Sequence, residues 1–201
     1  MKGLANQPKV ELTPDIFKAY DIRGIVGETI GEEIFRTIGQ VIGSEALDQG
    51  QSSLVVGRDG RLSSESLCDA LIEGILDSGC KVINIGQVPT PILYFACEHL
   101  HTRSGVMVTG SHNPANYNGL KILIAGKSVF GEKLQKIYQR ILQDKFYSGQ
   151  GEYQTVDLID KYIAQVSGDI HLTRPFKVVV DCGNGVGGLV VPKLLSRLGC
   201  E

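Results

Sequence analysis

Apolar residues recur at helical spacing at Ile34, Phe35, Ile38, Val41, Ile42 and Leu47, which predicts a helix over residues 32–47. Leu54-Val55-Val56 is a short apolar run and predicts a strand. Ser63 or Ser64 then caps a helix whose apolar face is Leu67, Leu71, Ile75 and Leu76, ended by Gly79. A strand over 81–85, a rigid Val88-Pro89-Thr90-Pro91 loop and a helix over 92–100 follow. Two apolar stretches, Ser104-Gly105-Val106-Met107-Val108 and Leu120-Lys121-Ile122-Leu123-Ile124, read as strands around a polar loop. Leu134, Ile137, Tyr138, Ile141 and Leu142 mark another helix. Strands alternating with helices predict a layered α/β domain that ends near residue 150.

Beyond it the pattern weakens. Residues 145–155, with Ser148-Gly149-Gln150-Gly151, read as a linker. A helix over 156–170, a strand over 176–180 and a helix over 188–198 are expected next. One strand with two helices cannot cover both faces of a sheet. Residues 151–201 are therefore expected to be a linker and the truncated start of a second α/β domain, with residues 1–150 the first.

Composition narrows the partners. The 201 residues carry a net charge of −2, which argues against nucleic acid or an anionic membrane. No stretch reaches the ~18 apolar residues of a membrane span, and residues 1–15 lack the apolar core of a signal peptide. Cys68, Cys80, Cys97, Cys182 and Cys200 are odd in number, widely spaced and without a Cys-x-x-Cys pair. They read as free thiols in a reducing, cytoplasmic compartment. His99, His101 and His171 have no ligand-like spacing and read as surface or cap residues.

The chemistry concentrates in Thr109-Gly110-Ser111-His112-Asn113-Pro114. Pro114 fixes its own φ and pushes Asn113 towards an extended conformation. Asn118-Gly119 offers positions that tolerate positive φ. The loop is either an ordinary polar turn or a device that presents Ser111. A nucleophile elbow would need glycines where Thr109 and Asn113 stand. A Ser-His pair adjacent along an extended stretch points its side chains apart. A serine that carries a phosphoryl group fits best, because cations are expected on loops: Arg23, Arg58, Arg61 and Lys121. At ~4 Å and an effective dielectric near 20, each attracts a unit negative charge by about 4 kcal/mol. Asp59 between Arg58 and Arg61 leaves that loop open to either an exposed ion pair or phosphate steering.

The chain resembles the α-D-phosphohexomutases, most closely the bacterial phosphomannomutase/phosphoglucomutase group. The matching blocks are Phe17-Lys18-Ala19-Tyr20-Asp21-Ile22-Arg23-Gly24, Val56-Gly57-Arg58-Asp59-Gly60-Arg61, Val88-Pro89-Thr90-Pro91, Gly105 to Pro114, Asn118-Gly119-Leu120-Lys121, and Val178-Val179-Val180-Asp181-Cys182-Gly183-Asn184-Gly185. The resemblance implies a layered α/β/α domain with a mixed sheet, followed by the start of a second α/β domain that is truncated. It implies that Ser111 is phosphorylated, binds Mg²⁺ through its phosphoryl oxygens, and exchanges phosphoryl groups with a hexose phosphate through a hexose 1,6-bisphosphate. The substrate would be mannose or glucose 1- or 6-phosphate. Lys121 and Arg23 would neutralise charge. His112 would shuttle a proton or position the hydroxyl, with Arg23 the alternative, and Tyr20 would contact substrate. Of the metal site only Ser111 is expected here, because the acidic metal loop, sugar loop and distal phosphate-binding domain are missing from the sequence. The full-length protein is expected to be a monomer, whereas this chain alone is expected to be inactive and to self-associate. Gly110 before the serine resembles the mannose/glucose group more than the glucosamine group. A non-catalytic phosphate-binding module is the competing class, and a serine hydrolase the third.

Two further motifs read as turns. Gly183-Asn184-Gly185-Val186-Gly187-Gly188 satisfies G-x-G-x-x-G between an expected strand and helix, and reads as close strand–helix packing rather than a dinucleotide fingerprint. Gly126-Lys127-Ser128 echoes a P-loop end, but Lys121 stands where its first glycine belongs.

Overall fold

The computed structural model describes residues 11–201; most of the N-terminal reading over 1–15 lies outside them. The core is a seven-stranded mixed sheet. In chain order its strands are β1 (Ile22–Ile25), β2 (Ser53–Arg58), β3 (Lys81–Gln87), β4 (Gly105–Val108), β5 (Tyr117–Ile124), β6 (Lys127–Ser128) and β7 (Tyr153–Thr155). The spatial order is β1-β5-β4-β2-β3-β7, with β6 paired on β5. β4, β2, β3 and β7 run parallel, while β5 is antiparallel to both β4 and β1.

The sheet is covered on both sides because its strands alternate. Leu54, Val56, Val106, Val108, Leu120 and Ile122 face one layer, built from α1 (Glu32–Asp48), α2 (Ser64–Asp77) and α4 (Glu132–Leu142). Val55, Met107 and Leu123 face the other, where α3 (Thr90–His99) and α5 (Ile159–Asp169) pack. The expected layered α/β/α fold with a mixed sheet is the one observed. α1 and α2 approach closely because Gly39 lies against the Leu71 carbonyl and Gly74 against the Arg36 carbonyl, with no room for a Cβ.

Several expected elements differ. β1 was not expected: Ile22-Arg23-Gly24-Ile25 has little strand pattern of its own and is extended by pairing Ile22 with Leu120 and Arg23 with Gly119. Asn118-Gly119 is no turn. Neither has positive φ, and both sit inside β5. Residues 153–155, read as linker, form edge strand β7 on β3. The expected strand over 176–180 is not formed. Among the described residues its backbone finds two bonds, Val178 N–H to the Glu201 carbonyl (2.8 Å) and Glu201 N–H to the Phe176 carbonyl (2.9 Å), and Val179 is fully exposed. An extended segment without a ladder partner does not become a strand. The expected helix over 188–198 is split into a 3-10 turn, Val186–Leu189, and α6 (Val191–Arg197). Gly126 does occupy a turn, with φ +76°, between β5 and β6. No helix among the described residues is long and apolar enough to cross a membrane.

Candidate active site

The serine loop leaves the end of β4 and returns as β5. Its own backbone bonds are few. Asn113 N–H donates to the Gly110 carbonyl (3.1 Å) and Tyr117 N–H to the Pro114 carbonyl (3.0 Å). Ser111 has φ +54°, in the left-handed region that is uncommon for L residues, and its N–H donates to Thr109 Oγ1 at 2.9 Å. Ser111, His112 and Asn113 are exposed. Among the described residues nothing bonds to Ser111 Oγ or to the His112 ring.

Arg23 reaches this loop from β1. Its side chain is buried, the residue being 7% exposed. One terminal nitrogen donates to the Gly110 carbonyl and the other to Asp21 Oδ2. Gly119, its register partner, leaves room for the guanidinium: a Cβ at 119 would collide with the Ile22 carbonyl and press on Arg23 Nε. Lys121, on β5, lies 3.5 Å from the same Asp21 carboxylate and is about one-third exposed. Arg23 and Lys121 thus sit on strands, not loops, and share one carboxylate. Tyr20 is 80% exposed on the bend before β1.

Two clefts flank Ser111. The larger, about 640 Å³, is lined by Ser111, His112, Lys121, Arg61 and the Gly183–Val186 segment, among others. The smaller places Lys18, Asp21 and Arg23 beside Ser111 and His112. Tyr20 lines neither. Arg58 turns away towards Glu65 (3.4 Å) on α2. Asp59 is not an exposed ion pair: its side chain is 15% exposed and accepts from Thr109 Oγ1, the Gly110 N–H and Ser64 Oγ.

Two positions near Ser111 were not singled out from the sequence. Asp21 and Lys18 stand inside one of the matching blocks, yet only the fold aims them at the loop. The G-x-G-x-x-G segment lines the larger cleft instead of opening a nucleotide fold. Arg23, Lys121, Asp21, Arg61 and Asp59 sum to one positive charge, and Lys18 on the rim adds another. That matches the roughly −1.5 to −2 of a phosphoserine. The residues present do not make up a magnesium site. Among the described residues no three His, Cys, Asp or Glu cluster suitably, and Asp21 and Asp59 are already paired with cations.

Residues 14–148 match the family described as phosphoglucomutase/phosphomannomutase, alpha/beta/alpha domain I. The chain belongs to that family. It is 49% identical over 190 residues to a phosphomannomutase/phosphoglucomutase of Pseudomonas aeruginosa, covering 94% of this chain and 41% of that protein. It is 44% identical over 187 residues to a phosphoglucomutase of Neisseria meningitidis serogroup B, covering 92% and 41%. The crystal structure of a phosphoglucomutase/phosphomannomutase family protein from Burkholderia thailandensis superposes with a TM-score of 0.91 at 44% identity, over 95% of this chain and 43% of that one. The chain thus spans about 41% of the length of these curated relatives.

Proposed function

We propose that this chain carries the phosphoryl-bearing part of a phosphohexomutase that interconverts mannose or glucose 1- and 6-phosphates. The reading rests on Ser111, exposed, with its Oγ unpartnered among the described residues, between two cation-lined clefts. In the forward half-reaction the bond from Ser111 Oγ to phosphorus breaks. A bond forms between that phosphorus and the free hydroxyl oxygen of the hexose monophosphate. His112 takes the hydroxyl proton, the departing Ser111 Oγ takes up one proton and becomes a free hydroxyl, and the product is a hexose 1,6-bisphosphate. The sugar turns over, Ser111 Oγ gives up its proton as it takes the other phosphoryl group, and the proton held by His112 passes to the sugar oxygen left behind. Such transfer needs in-line placement and charge neutralisation, which Lys121 and Arg23 supply, while Tyr20 touches the sugar from outside the clefts. Mg²⁺ bound through the Ser111 phosphoryl oxygens would add to that neutralisation; of its site this sequence supplies only Ser111, and Lys121 and Arg23 are the charges that the chain itself provides.

Residues 1–150 act as the phosphoserine domain and residues 151–201 as the beginning of the next. The chain alone turns over no substrate; the full-length enzyme works as a cytoplasmic monomer, which suits its free cysteines. The test is Ser111→Ala in the full-length protein. Conversion of glucose 1-phosphate to glucose 6-phosphate, with bisphosphate present, should fall to background because the covalent carrier is gone. Activity within a few-fold of wild type would remove Ser111 from its role. Intact-mass spectrometry before and after phosphatase should show loss of one phosphoryl group from wild type and no change in the variant.

A further inference from the structure

Arg61 has no task in the chemistry above, yet its guanidinium is the most heavily engaged group beside Ser111. One terminal nitrogen donates to the carbonyls of Pro114 (2.5 Å) and Tyr117 (3.1 Å). The other donates to those of Ser111 (3.1 Å) and Asn113 (2.6 Å). Its Nε lies 3.3 Å from Asp59 Oδ2, and both side chains are about 15% exposed. Asp59 is anchored in turn. Oδ2 accepts from Thr109 Oγ1 (2.8 Å) and the Gly110 N–H (3.1 Å), and Oδ1 from Ser64 Oγ (2.5 Å) and the Arg61 N–H (3.1 Å).

We infer that Arg61, seated on Asp59, is a positioning residue that sets the conformation of the phosphoryl-bearing loop rather than a ligand for phosphate. The loop makes too few internal bonds to hold Ser111 in a left-handed conformation by itself, so the surroundings must impose it. Arg61 does so by gathering four of the loop's carbonyls, including that of Ser111. A planar fork with several fixed donors suits this; an ammonium cannot reach four oxygens from one stem. Gly110 belongs to the same device, since a Cβ there would overlap the Arg61 guanidinium. The terminal donors are all engaged and the charge lies beside Asp59, so little of Arg61 is left for an incoming anion.

The inference rests on the reading that Ser111 carries the phosphoryl group, and its test has two arms. In the full-length enzyme, Arg61→Ala should lower kcat about 100-fold, the cost of an Oγ displaced by an ångström, with KM for the sugar phosphate changed by less than about threefold. Free guanidinium should restore at least about tenfold of the lost rate and methylammonium none. Arg61→Lys should resemble Arg61→Ala, and it replaces that variant should the alanine form not fold. In the 201-residue chain, hydrogen exchange by mass spectrometry should show peptides spanning 110–117 of either variant exchanging about tenfold faster, with β2 and β4 unchanged. A raised KM with kcat intact would make Arg61 a phosphate ligand and overturn the inference. So would unchanged exchange over 110–117. If the wild-type enzyme shows no mutase turnover, the proposed function fails, and the exchange arm alone still decides whether Arg61 holds the loop.

Discussion

Arg23 and Lys121 look alike in the sequence, as two cations near a serine motif, but their surroundings make them different tests. Arg23 is buried against the Gly110 carbonyl and Asp21. Truncation there strips a loop carbonyl of its charged donor and leaves Asp21 facing Lys121 alone. Arg23→Ala should therefore cost about 2 kcal/mol in urea unfolding as well as turnover. Lys121 is part-exposed and 3.5 Å from Asp21, so Lys121→Met should cost less than about 1 kcal/mol while slowing turnover severely. A stability loss equal to that of Arg23→Ala would count against the neutralising role of Lys121. The cysteines divide in the same way. Burial pushes the thiols of Cys68 and Cys97 up to about 12 and that of Cys80 to about 11. Cys182 and Cys200 are only half-buried. Iodoacetamide at about pH 8, near the ordinary thiol pKa, should label Cys182 and Cys200 in the native chain and reach the other three only after unfolding, as mass mapping would show.

At the scale of elements, the close α1–α2 contact depends on glycine. Gly74→Ala would drive a methyl into the Arg36 carbonyl. Backbone cannot swing aside as a side chain can, so the change should destabilise by about 1–3 kcal/mol in chemical denaturation. The end of α1 is tied to α4 and to the segment after it. The Tyr147 hydroxyl donates to Asp48 Oδ1 (2.6 Å) and Arg140 donates to Asp48 Oδ2 (2.6 Å). The Tyr147 bond, then Arg140, hold the Asp48 carboxyl below its ordinary value. A depressed carboxylate stabilises the fold above its unfolded pKa of about 4 and loses that contribution as pH falls through the lower folded value. The site is solvated, so the contribution is about 0.5 kcal/mol. The difference in thermal midpoint between wild type and Asp48→Asn should be constant from neutral pH down to about 4 and close below it.

Across the whole molecule, cohesion falls off beyond α5. Residues 171–181 are exposed, and the expected strand within them has no ladder. The later residues still touch the main body. Val190 and Leu194 pack with Ile163 and Leu158 on the α3 side, and Lys193 lies 3.6 Å from Asp160. Amides over 171–181 should exchange far ahead of those in β2 and β4 in native-state hydrogen exchange. Strong protection there in a monomeric chain would mean that the segment finds a partner which this packing does not provide.

The sequence by itself determined the layered α/β class, the central strands, the helices over the first domain and the serine loop. Those follow from local periodicity and from a motif written in consecutive residues. It could not determine β1 or β7, because short polar or Gly-containing stretches become strands only when a neighbour completes their hydrogen bonds. It suggested a strand over 176–180 for the converse reason: apolar, β-branched residues have the propensity, but pairing decides. The site divides along the same line. Ser111, His112, Arg23 and Lys121 were legible as residue types in the right blocks. Only the tertiary structure decided that Arg23 is buried, that Asp21 is shared between two cations, and that Arg61, seated on Asp59, grips the loop's carbonyls directly. These are contacts between residues some 50 to 100 positions apart in the chain, set by sheet register and by the absence of a Cβ at Gly110 and Gly119. No local pattern encodes them.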